Sequence, residues 1–189
     1  DNFKPVNDAL GHVAGDVLLE ELAQRLSDRL GEGQHLIRFG GDEFLVLTPC
    51  GGDCENNEAL TDFVDSLLAE CAREFEVLQN RVVISSSIGI AVAPRDGEYF
   101  KDLCRKADIA MYQAKSDGRN TYSFYSPEQD ELSEERFRLL QKLRSAVNAR
   151  GFDLHYQPIV DQKSSQVVGV ELLMRWQRGE SMVSPGVFI

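Results

Sequence analysis

Apolar residues recur at helical spacing in three stretches of the chain. The first stretch, which follows a short predicted helix over residues 3–10, contains Val13, Val17, Leu18, Leu22, Leu26 and Leu30. The second contains Leu60, Phe63, Val64, Leu67, Leu68, Cys71 and Phe75, and the third contains Phe100, Leu103, Ala107, Ala110, Met111 and Ala114. Because residues three and four apart share one face of a helix, each stretch predicts an amphipathic helix on a core. Gly118 marks the predicted end of the third helix.

Short runs of β-branched and aromatic residues between these helices predict strands. Residues 36–39 and 44–48 flank the sequence Gly-Gly-Asp-Glu, and two such runs around paired glycines indicate a hairpin. Residues 82–92 predict one long buried strand, and residues 121–125 predict another. The order of helices and strands predicts an α+β fold, a sheet with helices packed on it.

A different pattern follows residue 126. Residues 127–133 are polar and contain a proline, which favours a linker. After it the pattern predicts a helix over residues 134–149 and then strands over 153–160 and 167–176. We therefore predict a first domain over residues 1–126, a linker over 127–133, and the start of a second domain over 134–189.

The amino-acid composition and net charge limit the kinds of ligand and partner that this protein can bind. The 189 residues are 42% hydrophobic and 27% charged, as in ordinary globular proteins, and the net charge is −11. This charge disfavours nucleic acid, although a small anion in a local basic pocket remains compatible. No apolar run approaches the roughly 20 residues that cross a bilayer. We expect a reduced, cytoplasmic protein, and any membrane contact would be made by segments upstream of residue 1. Cys50 and Cys54 form at most a weak metal site.

The predicted hairpin turn carries the chemistry of interest. Gly40 and Gly41 lack β-carbons, so a base or a phosphate can come close to their backbone. Asp42 and Glu43 supply hard oxygen ligands suited to Mg²⁺. Lys115 and Arg119, near the end of the third helix, can neutralise a polyphosphate. By itself the tetrapeptide is more typical of a solvated turn, and Lys4, Asp16, Lys115 and Arg119, taken alone, are more typical of solvated surface charges.

Six short motifs occur together in register over residues 1 to about 125. They are Phe3-Lys4-x-x-Asn7-Asp8, Gly11-His12-x-x-Gly15-Asp16, Arg38-x-Gly40-Gly41-Asp42-Glu43-Phe44, Ser87-x-Gly89, Ala107-Asp108-x-Ala110-x-Tyr112-x-Ala114-Lys115 and Gly118-Arg119-Asn120. In order and spacing they resemble the GGDEF family of diguanylate cyclases. The resemblance implies a nucleotide-cyclase, palm-like fold that condenses two GTP into cyclic di-GMP, with two domains each bringing one GTP.

The resemblance also implies roles for individual residues. The positions that match substrate-binding residues are Phe3, Lys4, Asn7, Asp16, Gly40, Gly41, Lys115 and Arg119. Asn7 and Asp16 would recognise guanine, whereas Phe3 and Lys4 would place backbone at the β- and γ-phosphates. Asp42 and Glu43 are the implied catalytic and metal-binding residues, with Mg²⁺ or Mn²⁺ as the cofactor and Glu43 assisting the attacking hydroxyl.

Two departures from the family pattern change the expectations. A second metal-binding Asp of the family lies two residues before the position of Asp1, so we expect this piece by itself to be inactive. Many members also carry Arg-x-x-Asp upstream of the hairpin, where product binds and inhibits. Gly31 and Gln34 occupy those positions here and offer no charge, so we expect no product inhibition through this site.

The residues after the linker resemble the opening of an EAL-type cyclic di-GMP phosphodiesterase domain. The matching segments are residues 154–160 and 169–176, with Glu-Leu-Leu in place of the signature triplet. By resemblance, Glu171 is a metal ligand, and Gln157 and Arg175 contact cyclic di-GMP. EAL domains are TIM-like barrels of about 200 residues or more, so we expect only an incomplete barrel whose strands find another partner or stay mis-paired.

Three functions remain open at this level. The first is a cyclase, from a tandem protein that also degrades cyclic di-GMP through its EAL half. The second is a GTP-binding domain that only regulates the phosphodiesterase. The third is a non-catalytic receptor for cyclic di-GMP, which the intact sequence from Arg38 to Phe44 disfavours.

Overall fold

The computed structural model describes residues 1–50, 58–148, 151–178 and 181–188. The chain forms two compact units, Asp1–Asp130 and Glu131–Ile189. Across the described ranges, no helix combines the length and the apolar character that a membrane span requires.

Four helices of the described part of the first unit match the short predicted helix and the three predicted apolar stretches. They are α1 (Phe3–Leu10), α2 (His12–Ser27), α3 (Glu58–Ala72) and α4 (Phe100–Ser116). The assignment of Phe75 to the helix of the second stretch was wrong, because α3 ends at Ala72. The buried line of α2 runs through Ala14, Leu18, Leu22 and Leu26, at the expected spacing. Two assignments within this stripe were wrong. Val13 lies off the buried line and is 70% exposed, and α2 ends at Ser27, before Leu30.

The described part of the first unit also contains six short strands: β1 (His35–Gly40), β2 (Glu43–Leu47), β3 (Phe75–Val77), β4 (Asn80–Val82), β5 (Ile88–Ile90) and β6 (Tyr122–Phe124). β1 and β2 pair antiparallel, as the predicted hairpin requires. β3 and β4 form a second antiparallel pair, and β5 and β6 pair in parallel. The predicted α+β fold is confirmed.

The single long strand predicted over residues 82–92 was wrong. The structure has β4 ending at Val82 and β5 covering only Ile88–Ile90. Between them, the Ser85 carbonyl oxygen accepts a hydrogen bond from the Asp1 amino group at 2.8 Å. The β-branched composition favours an extended backbone, but a strand also needs a partner ladder, and composition does not supply one.

The hydrophobic core holds the hairpin in place. Leu18, Phe75 and Val77 have the largest fully buried side chains. Phe44 and Val46 on β2 pack against the same cluster as partly buried residues. The stem of the hairpin is therefore fixed by burial, which leaves its turn at the surface.

The second unit is a sheet with helical segments. α5 (Pro127–Asn148) begins in the first unit and is followed by β7 (Phe152–Val160), β8 (Val167–Arg178), β9 (Ser181–Val183) and α6 (Pro185–Phe188). The two predicted strands are confirmed and pair antiparallel, with β9 added at the edge of β8. Within the described ranges, the strands form an open three-stranded sheet and no closed barrel.

The helix predicted to begin at residue 134 begins seven positions earlier. Pro127 occupies the first helical position, where its fixed φ and missing N–H are tolerated. Glu128 and Asp130 place negative charge in the first turn, which the helix dipole favours. The polar segment that we predicted as a linker is thus the first part of α5.

Candidate active site

The turn of the β1–β2 hairpin presents two carboxylates to solvent. Gly40 pairs with Glu43, which leaves Gly41 and Asp42 at the turn. Gly41 has φ +53°, a left-handed conformation that glycine adopts without steric cost. The Arg38 guanidinium donates from Nε and Nη2 to the Gly41 carbonyl oxygen at 3.2 and 2.9 Å. These bonds fix the turn, and the Asp42 and Glu43 side chains are exposed beside it.

The end of α4 presents two cations. Lys115 lies in the last turn of the helix, and Gly118 follows with φ +117°. The Arg119 backbone N–H donates to the Ala114 carbonyl oxygen at 3.1 Å, the long bond of a Schellman motif. Arg119 has φ +63°, an uncommon conformation for a residue with a side chain. The backbone conformation at this helix end therefore fixes the position from which the Arg119 side chain extends.

The amino group of Asp1 lies near charges from both the hairpin turn and the end of α4. Burial is the largest influence on its pKa and lowers it. Asp42 raises the same pKa, and Lys115 and Arg119 lower it. Because charge interactions weaken with distance, one carboxylate and two cations lie in the same region of the first unit as this amino group.

The Asp1 carboxylate was missed by the sequence reasoning. Its side chain is 2% exposed, and Oδ1 lies 3.9 Å from Nε of Arg119. The hydroxyl of Ser87 donates to Oδ2 of Asp1 at 2.8 Å. A buried carboxylate that contacts a phosphate-binding candidate holds that cation in position. The signal in the sequence was an acidic residue two positions before the Phe-Lys motif, together with the serine of the Ser-x-Gly motif.

The predicted guanine-binding residues lie on two adjacent helices. Asn7 on α1 faces Gly15 on α2, and Asp16 follows Gly15 directly. Phe3 begins α1 and packs partly buried against the core. Lys4 and Asp16 are exposed, so their side chains are open to a ligand. The pairing of Asn7 with Gly15 was not foreseen, because helix packing brings them together across eight positions of sequence.

The donor set for a metal consists of two carboxylates. Among the residues placed by the structure, no group of three or more His, Cys, Asp or Glu side chains is arranged to hold an ion. Asp42 and Glu43 are hard oxygen donors at an exposed turn, which suits a divalent ion that keeps several waters. The residues present therefore fit a metal through donor chemistry.

The positions of the family's product-binding motif are occupied by an internal hydrogen-bond network. The Gly31 N–H donates to Oε1 of Gln34 at 2.7 Å. Nε2 of Gln34 donates to the hydroxyl of Thr48 at 2.8 Å. Both ends of the Gln34 amide are thus engaged within the protein.

In the second unit, the register aligns the residues of the predicted phosphodiesterase site. Gln157 on β7 lies directly opposite Glu171 on β8. Arg175 lies four positions further along β8, on the same face, because side chains alternate along a strand. Asp153 is opposite Arg175, and Nη1 of Arg175 donates to the Met174 carbonyl oxygen at 3.1 Å. Three polar residues therefore line one face of the sheet.

Among the described residues, the cysteines add no metal site. Cys50 is disulfide-bonded, so the expectation of a fully reduced protein was wrong for this residue. Cys54 lies outside the described residues. Cys71 and Cys104 carry free thiols. Burial raises the pKa of the Cys71 thiol, which disfavours the reactive thiolate.

Comparison with known proteins extends over the whole chain. The family described as "Diguanylate cyclase, GGDEF domain" matches residues 1–121, and the EAL domain family matches residues 140–189. The bifunctional diguanylate cyclase/cyclic di-GMP phosphodiesterase MucR of Pseudomonas aeruginosa is 38% identical over 190 residues. The cyclic di-GMP phosphodiesterase PdeR of Escherichia coli is 36% identical over 185 residues. The alignments cover 100% and 98% of this chain, which spans 27% of each relative.

Solved structures resemble the first unit. An EAL/GGDEF domain protein from M. capsulatus matches with a TM-score of 0.61 and 44% identity, over 67% of this chain and 80% of that one. The GGDEF domain of YfiN (TpbB) from Pseudomonas aeruginosa matches with a TM-score of 0.60 and 34% identity, over 67% and 77% of the two chains.

Proposed function

Because this chain belongs to the GGDEF family and continues into the start of an EAL domain, we propose that it is the cyclase part of a tandem protein and condenses two GTP to cyclic di-GMP. GGDEF–EAL tandems are signalling proteins of cyclic di-GMP metabolism. The predicted domain limits, 1–126 and 134–189, belong to the same proposal.

One observation carries the proposal. Asp42, Lys115 and Arg119 come from two separate parts of the chain, yet all three charges act on the amino group of Asp1. Two cations near an acidic turn favour a triphosphate, because the cations offset phosphate charge.

The base end of the substrate is assigned to the first two helices. Asn7 and Asp16 offer an amide and a carboxylate on adjacent helices, close to the start of α1. Guanine carries N–H donors on the edge where adenine carries an acceptor, so a carboxylate favours guanine. Phe3 and Lys4 then place the first turn of α1 beside the phosphates.

The reaction balances without any redox partner. The 3′-hydroxyl of one GTP attacks the α-phosphorus of the other; a P–O bond forms and the bond to the β-phosphate oxygen breaks, releasing pyrophosphate. The hydroxyl proton passes to Glu43 or to solvent. Two such steps close the ring of cyclic di-GMP. Since each domain brings one GTP, the active species is a homodimer.

A divalent ion belongs to the proposal. Domains of these two families use divalent metal ions, and Asp42 with Glu43 would hold Mg²⁺ or Mn²⁺ here. Such an ion would offset phosphate charge and polarise the reacting oxygens. The proposed setting is the cytoplasm, with any anchor in the inner membrane supplied by segments outside residues 1–189.

A second candidate is a GTP-binding domain that regulates the EAL phosphodiesterase. Similarity to PdeR, and to the cyclic di-GMP phosphodiesterase NbdA of Pseudomonas aeruginosa at 32% identity, favours it. Both candidates need the same guanine and phosphate contacts. They differ only in whether the acidic turn is used for chemistry.

The test uses the gene product that carries this chain, incubated with Mg²⁺ and GTP. Cyclic di-GMP and its linear hydrolysis product are followed for the wild type, Asp42→Ala and Glu171→Ala. A cyclase loses synthesis in Asp42→Ala and retains it in Glu171→Ala. Hydrolysis that GTP stimulates, without any synthesis by the wild type, identifies the regulatory candidate instead.

A further inference from the structure

Gly15 lies where α2 packs against α1. It is buried, and a β-carbon added there would lie 1.9 Å from Oδ1 of Asn7 and 2.9 Å from its Cγ. The ring of Phe3 would be 3.0 Å away. Alanine is a better helix former than glycine in this position of a helix. Glycine at position 15 is therefore explained by the space that its missing side chain leaves, and not by any benefit to the helix.

The side chain that fills this space is Asn7. Its Oδ1 is buried, and it has no hydrogen-bond partner among the residues the structure describes. No bond from the protein orients this end of the amide, so packing against the bare Cα of Gly15 sets its position. Asp16, the next residue after Gly15, is exposed beside it.

We propose that Gly15 is a specificity-determining positioning residue, whose missing side chain seats the Asn7 amide for recognition of the GTP base. This rests on the proposed function, in which Asn7 and Asp16 contact guanine. Any larger residue at position 15 has to turn the Asn7 amide away or separate α1 from α2. Either change displaces the base contact. The cations at the end of α4 remain in place, because they are held by a different part of the fold.

The test compares binding of GTP, ATP and inorganic tripolyphosphate in Mg²⁺ by calorimetry. The proteins are the wild type, Gly15→Ala, Asn7→Ala and the double variant. Gly31→Ala is the matched control, because a β-carbon there meets only Oε1 of Gln34 at 3.6 Å. We expect Gly15→Ala to weaken GTP binding by about tenfold, as the loss of a hydrogen bond does, and to leave tripolyphosphate binding unchanged.

The double variant tests whether Gly15→Ala weakens GTP binding through the Asn7 side chain. Asn7→Ala removes the two atoms that a β-carbon at position 15 would meet most closely and leaves only the Phe3 ring, at 3.0 Å. Adding Gly15→Ala should therefore cost little further affinity. An additional loss in the double variant, or equal losses for GTP and tripolyphosphate, overturns the proposal. If Gly15→Ala does not fold, the double variant should fold; a double variant that is equally unfolded overturns the proposal as well.

The failure of the proposed function gives a separate result. A wild type that binds GTP no better than ATP overturns both the guanine assignment and the role of Gly15. A wild type that selects GTP, with Gly15→Ala selecting it equally well, overturns the role of Gly15 alone.

Discussion

Nε of Arg119 lies 3.9 Å from Oδ1 of Asp1, and the two side chains differ in exposure, at 59% and 2%. The buried carboxylate is fixed by the hydroxyl of Ser87, which donates to it at 2.8 Å. A fixed anion thus lies beside an exposed cation at the end of α4. The contribution of this pair to folding is small, since solvent screens the exposed guanidinium, but the carboxylate attracts the guanidinium to one side.

Removing this charge should reduce GTP affinity. Asp1→Asn keeps an oxygen that accepts from Ser87 and loses the attraction for Arg119. We expect GTP binding to weaken by about two- to fivefold, in line with an exposed ion pair. Calorimetric titration with GTP measures the change.

The matched experiment places Asp1→Asn in an Arg119→Ala background. With no guanidinium to hold, the Asp1 substitution should have no further effect on GTP affinity. A second loss of the same size would show that Asp1 acts by another route.

Acid should weaken the packing of α2 on α3 through Glu70. Its side chain is 5% exposed and accepts hydrogen bonds from Arg29 and Arg73, which, in that order, lower the pKa of Glu70. Because the pKa of Glu70 is lower in the folded state than in the unfolded state, the ionised carboxylate stabilises the fold at pH values above the unfolded-state pKa of about 4.3. This stabilisation is lost as the pH falls through the folded-state pKa. The free energy of unfolding should therefore fall as the pH drops below about 5.

Glu70→Gln should lower the melting temperature at pH 7 and flatten this acid dependence, as thermal unfolding at several pH values would measure. Glu74→Gln is the control, because Glu74 is 53% exposed and its nearest cation, Nε of Arg81, is 3.5 Å away. Equal melting temperatures for the two variants at pH 7 would contradict the structural role of Glu70.

Gly89 should tolerate no side chain. A β-carbon there would lie 1.8 Å from the carbonyl oxygen of Ala107 and 2.3 Å from the backbone nitrogen of Met111. The backbone of α4 cannot rotate away as a side chain does, so Gly89→Ala should destabilise the fold by about 3 kcal/mol, as overpacking does. Denaturant unfolding measures it. Gly97→Ala, whose β-carbon first meets Cβ of Asp102 at 3.4 Å, should change stability little.

Product should not inhibit through the positions of Gly31 and Gln34. The Gln34 amide is engaged by the Gly31 N–H and the Thr48 hydroxyl. We expect Gln34→Ala to leave both the rate of synthesis and the affinity for added cyclic di-GMP unchanged, as product assays and calorimetry would measure. Tight cyclic di-GMP binding that Gln34→Ala abolishes would contradict this expectation.

Much of the fold follows from local patterns. The buried line of α2 and the hairpin around Gly41 were predictable, because helical spacing and paired glycines are local signals. The length of the strand after Val82 was not, since a strand ends where its hydrogen-bond partner ends. The start of α5 at Pro127 was also misjudged, because polar composition alone does not distinguish a solvated helix from a linker.

The sequence by itself determined which residues are available for chemistry: the carboxylates of the hairpin turn, the cations near the end of α4, and the family motifs that contain them. Only the tertiary structure decided that Asp1 holds Arg119 and that Asn7 fills the space left by Gly15. Both relationships join residues on different elements, and packing sets such distances. Residue spacing along the chain does not set these distances.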